Sequence, residues 1–327
     1  MSNVLLQVEG LKKHFPIHGG IFSRQVGAVK AVDGVSFSVN SGEIYGLVGE
    51  SGCGKSTVGR TILNLLEPTA GRVTFDGTVI YDVEQKQKLS SAEMRRLRRN
   101  MQIIFQDPFA SLDPRMTIGT IVSEGLLAHK LATRSEAMER SEALLEKCGI
   151  SIENINRYPH EFSGGQRQRI SIARALAFGP RFIIGDEPIA ALDVSIQAQI
   201  LMLMQDLKDE FGLTYIFISH DLGVVRYFCD RIAVMYLGSF VETGTSEHLF
   251  SNPVHPYAQA LLSAMPTLDN ELKQERIILR GSVPNPANAP SGCKFHTRCP
   301  HAMPRCSEEA PMMKEIEPGH MAACHLL

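Results

Sequence analysis

Apolar and polar residues alternate in the first part of the chain, most clearly at residues 4–8 and 35–39. Alternation with a period of two is typical of strands that bury one face, so antiparallel strands are predicted between residues 4 and 48. Later runs are apolar throughout and have the length of strands buried in a parallel sheet; they lie at residues 182–184, 214–218 and 232–236. The pattern therefore predicts an α/β fold around a mainly parallel sheet.

A helical pattern occupies the middle of the chain. Apolar residues three and four positions apart predict a helix at residues 135–148, and a second helix is predicted at residues 164–177. Both lie inside a helical subdomain expected at about residues 107–178. After about residue 250 the sequence becomes rich in proline and loop-like. We therefore expect one large domain over residues 1–250 and a small appended domain over residues 251–327.

The composition limits the classes of function. The chain has 327 residues, of which 44% are hydrophobic, so it can bury a large core. A net charge of −2 argues against a protein that binds nucleic acid by bulk electrostatics. The sequence shows no N-terminal signal pattern, and no apolar run approaches the ~20 residues that a membrane-spanning helix needs. We expect a cytosolic chain whose membrane role, if it has one, depends on partners.

A glycine-rich segment carries the first candidate chemistry. Residues 49–57, Gly-Glu-Ser-Gly-Cys-Gly-Lys-Ser-Thr, fit the pattern G-x-x-x-x-G-K-[ST], between a predicted buried strand at 43–48 and a predicted helix at 56–66. Backbone N–H groups in such a loop point at phosphate oxygens, and the helix that follows adds its positive dipole end. The residues expected to bind phosphate in this way are Gly49, Ser51, Gly52, Cys53 and Gly54.

The next three residues are expected to complete a nucleotide site. Lys55 reaches the β and γ phosphates of ATP, and Thr57 contacts the α phosphate. Ser56 is expected to bind Mg²⁺, because a hydroxyl is a hard oxygen donor of the kind that this ion accepts. The segment therefore predicts an ATP site with Mg²⁺ as cofactor.

A pair of carboxylates follows the predicted strand at 182–184. Asp186 is expected to hold Mg²⁺ through water, whereas Glu187 is expected to polarise the attacking water as a general base. Two neighbouring carboxylates at the end of a buried strand can take these two roles because their environments differ. This pair predicts hydrolysis of the bound nucleotide.

A third segment, Phe162-Ser163-Gly164-Gly165-Gln166, stands at the start of the predicted helix at 164–177. A helix N-terminus capped by serine and glycine has free N–H groups that bind anions. With this segment, the order and spacing of all three motifs make the chain resemble the nucleotide-binding subunits of ABC transporters over about residues 4–250. The resemblance implies a phosphate-loop ATPase with a RecA-like core, an antiparallel β subdomain and a helical subdomain. It also implies that Ser163, Gly165 and Gln166 close over the γ phosphate bound to a second subunit.

The same resemblance assigns further residues. Gln106 would sense Mg²⁺ and the attacking water, and it lies where the family contacts its membrane subunits. His220 would contact the γ phosphate, and Asp193 would cross the dimer interface. Phe15 matches the aromatic residue that stacks on adenine. The family usually has a larger residue at position 185, so Gly185 is expected to leave a small packing gap.

The C-terminal region resembles that of one subfamily. Residues 252–262 contain the His-Pro-Tyr segment that marks oligopeptide and dipeptide importers. Four cysteines, separated by five, six and seventeen residues, lie at Cys293, Cys299, Cys306 and Cys324. Their clustering in a cytosolic protein points to metal before disulfide, and four soft ligands suit either Zn²⁺ or an iron–sulfur cluster. The subfamily resemblance favours [4Fe-4S].

The predicted function is ATP hydrolysis that energises import of dipeptides and oligopeptides. The resemblance implies a second, paralogous ATPase chain, so that the two form a heterodimer. It further implies two membrane permeases and an extracytoplasmic peptide-binding protein, with this subunit on the cytoplasmic side of the inner membrane. Nucleic acid is not an expected partner.

Three alternatives are weighed: another cargo, a DNA-repair ATPase and a translation-factor ATPase. Relatives with the same extension resemble importers of nickel, glutathione or sugars, and the cargo contacts lie in other subunits. A DNA-repair ATPase of the same fold usually inserts coiled coils or zinc modules between the phosphate loop and the third segment, whose residues Ser163-Gly164-Gly165-Gln166 match the signature of the ABC family. Only 108 residues separate Lys55 from Ser163, which leaves no room for such an insertion. A translation-factor ATPase normally carries two cassettes, whereas this chain has one set of motifs.

Overall fold

The structure is a computed structural model that describes residues 4–19, 24–265 and 277–327. The chain divides into two compact units. The first unit comprises Met1–Leu89 and Ser219–Leu327, and the second comprises Ser90–Ile218. Strands β1–β13 and helices α1–α11 are numbered along the chain.

An antiparallel sheet opens the first unit. Its strands are β1 (Val4–Gly19), β2 (Arg24–Asn40), β4 (Ala70–Phe75), β5 (Thr78–Asp82) and β6 (Gln87–Lys88). They lie in the order β2-β1-β4-β5-β6. The long β1–β2 pair runs from Val4 opposite Asn40 to Gly19 opposite Arg24. Alternating residues of β1 such as Leu6 and Val8 are buried, as a strand with one buried face requires.

A second group of strands in the first unit carries the phosphate-loop segment. Its members are β3 (Ile44–Val48), β10 (Arg231–Tyr236), β11 (Ser239–Thr245), β12 (Lys314–Glu317) and β13 (His320–Ala322). β3 pairs with β10 in parallel, whereas β11 pairs antiparallel with both β10 and β13. β12 closes the group on β13. Every residue of β3 is buried, so the loop that follows leaves a fixed strand.

The helices of the first unit are short. They are α1 (Lys55–Ile62), α8 (Leu222–Phe228), α9 (Ser246–Ser251), α10 (Pro256–Ser263) and α11 (Pro304–Glu308). α10 has a proline in its first turn, where the missing N–H costs no helical hydrogen bond. This helix contains the tyrosine of the His-Pro-Tyr segment.

The second unit combines a parallel sheet with most of the helices. Its strands β7 (Met101–Ile104), β8 (Phe182–Asp186) and β9 (Thr214–Ile218) pair in parallel, with β8 between the other two. All residues of β8 and β9 are buried. The helices are α2 (Ser91–Leu97), α3 (Pro108–Ser111), α4 (Ile118–Ala128), α5 (Arg134–Lys147), α6 (Gly164–Leu176) and α7 (Val194–Phe211).

The helices and strands agree closely with the predictions where the signal lies within a short stretch of sequence. The helix predicted at 164–177 is α6, and its first residue is fixed by a capping box between Ser163 and Gln166. The helix predicted at 56–66 is shorter, because α1 ends at Ile62. The apolar runs form β8, β9 and β10, so the α/β prediction is confirmed. The alternating pattern did not predict β4, β5 and β6, which follow the phosphate loop.

None of the helices within the described ranges combines the length and apolarity needed to cross a membrane.

Candidate active site

The phosphate loop follows β3 and has room only for glycine at two positions. A Cβ on Gly49, where φ is 149°, would lie 2.2 Å from the carbonyl oxygen of Met235. A Cβ on Gly54, where φ is 112°, would lie 2.0 Å from the carbonyl oxygen of Ala31. Both distances are far below any real contact, so each glycine is required by the close approach of backbone. Gly54 is also the N-cap of α1 and has no side chain to cap it, which leaves the helix start to an anion.

Lys55 is buried at the start of α1. Its side chain is 4% exposed, and its Nζ donates to the carbonyl oxygens of Gly49 at 2.8 Å and Glu50 at 3.2 Å. The ammonium therefore lies over the loop that begins at the end of β3. Cys53 lies 3.8 Å from the same Nζ, and burial raises the pKa of its thiol although the lysine charge opposes this.

His220 lies beside the same strand. Its neighbour Ser219 donates its backbone N–H to the carbonyl oxygen of Leu47 at 3.2 Å, next to the last residue of β3. The Ser219 hydroxyl accepts from the N–H of Asp221 at 3.0 Å, and Asp221 caps α8 through Val224 at 3.2 Å. His220 itself is exposed. The structure thus places the residue before this histidine beside Leu47 of the strand that leads to the phosphate loop.

Phe15 lies on β1 opposite Val29. Its ring is partly exposed, and the Nζ of Lys13 lies 4.8 Å from the ring centroid. A partly exposed aromatic ring can stack on a base. The adenine contact stays a prediction.

The second unit holds the two carboxylates. Asp186 is the last residue of β8 and is 1% exposed. Glu187 has φ 51°, in the left-handed region that costs a non-glycine residue roughly 1–2 kcal/mol. Its N–H donates to the carbonyl oxygen of Ile218 at 3.1 Å, and its carboxylate accepts from the Gln106 amide at 3.1 Å. The backbone turn therefore brings together the two residues that were assigned to the attacking water.

Gly185 does not leave the gap that we expected. A Cβ at this position would lie 3.1 Å from Cγ of Pro188 and 3.7 Å from Cδ2 of Phe217. The ring of Pro188 already occupies the space beside the strand. The expectation was wrong because it took account of position 185 alone, whereas the side chain of Pro188, three residues later, fills the space.

The signature segment is a capped helix start. The Ser163 hydroxyl accepts from the N–H of Gln166 at 3.3 Å, and the Gln166 side chain accepts from the N–H of Ser163 at 3.0 Å. A Cβ on Gly165 would lie 2.5 Å from Cγ2 of Ile196, so α6 approaches α7 too closely for any side chain there. Phe162 is 5% exposed and keeps apolar packing at its position.

Asp193 stands exposed at the N-cap of α7 and makes no side-chain cap hydrogen bond. The loop before it is held by Gln197, whose amide donates to the carbonyl oxygens of Ile189 and Leu192, each at 3.1 Å. The aspartate is therefore presented outward on a fixed loop. Its role across a dimer stays a prediction.

The C-terminal region of the first unit contacts the phosphate loop directly. The N–H of Glu50 donates to the Tyr257 hydroxyl at 2.9 Å. Arg298 donates through both terminal nitrogens to the Glu50 carboxylate, at 2.7 and 3.1 Å. Sequence reasoning missed both contacts, since Glu50 occupies a variable position of the loop pattern and its partners lie more than 200 residues away.

Comparison with known proteins identifies the family. The ABC transporter family matches residues 32–190, and the C-terminal region of oligopeptide/dipeptide transporters matches residues 241–306. The oligopeptide transport ATP-binding protein AppF of Bacillus subtilis (strain 168) is 53% identical over 99% of this chain and 98% of its own length. The chain belongs to the ABC transporter family. ATP hydrolysis is accordingly its activity.

Solved structures of ABC cassettes share the fold. CbiO1 from Clostridium perfringens, part of the ABC transporter complex cbiONQ, has a TM-score of 0.64 and 28% identity over 76% of this chain and 92% of its own. The dimeric cassette MJ0796, bound to ADP and Pi, has the same TM-score and identity over 74% of this chain and 99% of its own. The predicted fold class, an ABC-type ATPase, is confirmed.

The four cysteines of this ABC ATPase do not form a ready metal site. Within the described ranges, no group of three or more His, Cys, Asp or Glu residues is placed to hold a metal ion. Burial raises the pKa of the Cys293 thiol, and the nearby thiols of Cys306, Cys324 and Cys299 raise it further. The N–H of Cys293 also donates to the carbonyl oxygen of Cys306 at 2.8 Å. The sequence predicted that these residues come together, but the predicted metal centre is not supported.

Proposed function

We propose that the chain is the ATP-hydrolysing subunit of an importer of dipeptides and oligopeptides. The observation that carries the proposal is the likeness to AppF over nearly the whole of both chains, since AppF is described as an oligopeptide transport protein. The match of residues 241–306 to the oligopeptide/dipeptide transporter C-terminal region supports the same cargo. Nickel, glutathione or another small solute is the alternative cargo.

In this proposal the phosphates of ATP bind at the loop before α1. The backbone N–H groups of the loop and the side chains of Lys55 and Thr57 contact the phosphates, with Phe15 stacked on adenine. The hydroxyl of Ser56, the amide oxygen of Gln106 and the carboxylate of Asp186 are hard oxygen donors of the kind that Mg²⁺ accepts. When bound, this ion neutralises charge on the transferred phosphoryl group.

Glu187 takes the proton of the attacking water as general base. The Gln106 amide, 3.1 Å from the Glu187 carboxylate, supports this role because it orients that carboxylate before substrate arrives. His220 contacts the γ phosphate, and its neighbour Ser219 is hydrogen-bonded to Leu47 of the strand that leads to the loop. These assignments divide the reaction into phosphate binding and water activation.

The signature acts on the nucleotide of a second cassette. Ser163, Gly165 and Gln166 present the N-terminus of α6, which is 13 residues long, to the γ phosphate bound to the partner chain, and Asp193 crosses the dimer interface. The dimer of the cassette MJ0796 supports association of two such chains. We propose that the second chain is a paralogue rather than a second copy.

The complete machine includes two membrane permeases and an extracytoplasmic peptide-binding protein. We assign the permease contact to the surface near Gln106, where Phe109 is 63% exposed, a large apolar side chain suited to a partner. The subunit then lies peripherally on the cytoplasmic face of the inner membrane. Binding of ATP closes the dimer, and hydrolysis reopens it.

A metal centre at Cys293, Cys299, Cys306 and Cys324 also belongs to the proposal, with [4Fe-4S] favoured over Zn²⁺. Four soft ligands in one segment support it, and the N–H of Cys293 donates to the carbonyl oxygen of Cys306 at 2.8 Å, which brings two of these residues together. The arrangement described above does not fit a metal as it stands, so no step of hydrolysis is assigned to it. Iron, sulfide and zinc analysis of protein purified without oxygen, followed by thiol alkylation with and without chelator, tests this centre.

The cargo is tested by uptake of labelled dipeptides and oligopeptides in the native host. Glu187→Gln replaces the wild type, and Glu139→Gln, at an exposed carboxylate on α5, serves as the matched variant. We expect Glu187→Gln to abolish peptide uptake at normal protein level and Glu139→Gln to leave uptake normal. Unchanged peptide uptake with Glu187→Gln, in a host without a redundant system, would contradict peptide import. Uptake of nickel and glutathione would then be measured in the same strains.

A further inference from the structure

Every polar group of Glu50 takes part in a hydrogen bond. Its N–H donates to the Tyr257 hydroxyl at 2.9 Å, and its carboxylate accepts two hydrogen bonds from Arg298 at 2.7 and 3.1 Å. Its carbonyl oxygen accepts from Lys55 Nζ and from the N–H of Cys53, each at 3.2 Å. One loop residue therefore connects the phosphate-binding lysine to two side chains of the C-terminal region.

Both of these side chains come from a packed part of the first unit. Tyr257 is fully buried, and its ring lies 4.7 Å from Tyr236 and 5.4 Å from Phe295 between ring centroids. The Arg298 side chain is 7% exposed. Aromatic rings in such arrangements fix one another beyond simple burial. The two groups that hold Glu50 are thus presented by a rigid surface.

A second ion pair holds the same C-terminal segment against the rest of the first unit. Lys294 Nζ donates to the Asp33 carboxylate at 3.0 Å, to the Leu237 carbonyl oxygen at 2.9 Å and to the Ser239 hydroxyl at 2.8 Å. Lys294 and Arg298 therefore anchor residues 294–298 at two separate points. The position of Arg298 beside the loop does not depend on its own ion pair alone.

The charge of Glu50 needs this partner. A carboxylate within a loop that binds polyphosphate repels the ligand, and its side chain is only 29% exposed, so water screens it incompletely. A guanidinium that donates twice in parallel both neutralises the carboxylate and fixes its direction. Without Arg298 the loop would carry an uncompensated negative charge.

We infer that Arg298 and Tyr257 are positioning residues for ATP binding, which act through Glu50. Arg298 neutralises and orients the Glu50 carboxylate, and the Tyr257 hydroxyl holds the Glu50 N–H, so that the loop keeps the conformation that receives phosphate. The C-terminal region thereby contributes to the nucleotide site. This inference rests on the proposed ATP-binding function.

The test measures the Kd of Mg²⁺-ATP on the full chain by calorimetry, with steady-state hydrolysis in the assembled transporter. Arg298→Ala is expected to raise Kd and KM about tenfold and to change kcat less, because the loss is in phosphate binding. The defect shrinks at high salt, which screens the freed carboxylate. Arg298→Lys keeps the charge and recovers part of the affinity. Tyr257→Phe, which removes only the hydroxyl, is expected to raise Kd about fivefold.

A double-variant cycle separates this role from a general loss of structure. In a Glu50→Gln background no charge remains to be neutralised. Adding Arg298→Ala to that background is therefore expected to change Kd less than about twofold, compared with about tenfold when Glu50 is present. Arg305→Ala is the matched variant, since Arg305 pairs with Glu309 at 2.8 Å in the same region without contact to the loop. Its Kd is expected to equal that of the wild type.

Two results would overturn the inference alone. One is a wild-type Kd in Arg298→Ala. The other is that Arg298→Ala raises Kd by the same factor in the wild-type and in the Glu50→Gln background. Absence of ATP binding by the wild-type chain would instead overturn the proposed function, and this inference with it. Thermal midpoints measured without nucleotide identify a variant that fails to fold. If Arg298→Ala fails to fold, the Kd values of Arg298→Lys and Tyr257→Phe test the inference instead.

Discussion

Glu187 joins an unfavourable backbone conformation to a specific contact. Its φ of 51° is maintained by the hydrogen bond of its N–H to Ile218 and by a turn in which the N–H of Ala190 donates to its carbonyl oxygen at 3.2 Å. Strained conformations of this kind persist where surrounding structure fixes them, often at functional sites. The strain here directs the carboxylate toward the Gln106 amide.

Replacing this carboxylate is expected to separate binding from hydrolysis. Glu187→Gln should bind Mg²⁺-ATP with near wild-type Kd but lose at least about 100-fold in turnover, because an amide cannot accept the proton from water. Phosphate release in the assembled transporter measures turnover, and calorimetry measures Kd. The Glu139→Gln variant should hydrolyse ATP normally, and normal hydrolysis by Glu187→Gln would exclude the assigned base.

His255 gives stability a dependence on pH. It is 1% exposed, its Nδ1 accepts from the N–H of Tyr257 at 3.0 Å, and burial lowers its pKa to about 4. The folded state therefore favours the neutral ring. Its contribution to stability is complete above the unfolded pKa of about 6.5 and is lost as pH falls from there toward 4.

The corresponding variant is His255→Asn, whose side chain can still accept from Tyr257 as an N-cap. Between pH 7 and pH 5 the wild type should lose about 2 kcal/mol more of its free energy of unfolding than this variant. Denaturant titrations at several pH values measure the difference. His301→Asn, at an exposed histidine, should behave as wild type. Equal pH dependence of wild type and His255→Asn would show that His255 does not titrate as described.

At the scale of elements, the contact between α6 and α7 determines which glycine of the signature is required. A Cβ on Gly165 would lie 2.5 Å from Cγ2 of Ile196, whereas a Cβ on Gly164 would meet Leu192 Cδ2 at an ordinary 3.5 Å. Gly165→Ala should therefore lower the free energy of unfolding by about 1–3 kcal/mol, as overpacking does. Gly164→Ala should be neutral or stabilising. Thermal midpoints measure both, and equal midpoints would refute the close approach.

The sequence predicted the elements whose signals are local. The start of α6 at Gly164 was predicted because serine and glycine stand where a helix N-terminus is capped, and the structure shows the cap as a capping box between Ser163 and Gln166. β8 and β9 were predicted because each is a short, wholly apolar run. The phosphate-loop position was predicted because glycine and lysine spacing reflects a backbone requirement that is the same in every such loop.

What the sequence did not predict depends on contacts between distant residues. Nothing near Glu50 indicates that its partner is Arg298, because an ion pair leaves no pattern of spacing over 248 positions. The packing at Gly185 depended on where the ring of Pro188 lies. The cysteine spacing indicated neighbouring thiols, but spacing does not determine the tertiary geometry of their sulfur atoms.

At the scale of the whole molecule, nucleotide binding is linked to unfolding. A ligand that binds only the folded chain adds about 2.7 kcal/mol to stability when its concentration is about 100 times Kd. Mg²⁺-ATP should accordingly raise the thermal midpoint of Glu187→Gln by a few degrees. Lys55→Ala removes a phosphate contact and should show a smaller rise at the same concentration. Scanning calorimetry measures both shifts, and equal shifts would contradict the role of Lys55.

The contact between Glu50 and Arg298 also orders events during synthesis of the chain. The loop leaves the ribosome 248 residues before its arginine. At ~5–20 residues per second the interval is roughly 12–50 s. A nascent chain therefore carries a glycine-rich loop that lacks this partner until Arg298 has been made. On the inference that Arg298 positions the loop, incomplete chains that lack Arg298 are expected to bind ATP more weakly than the full chain.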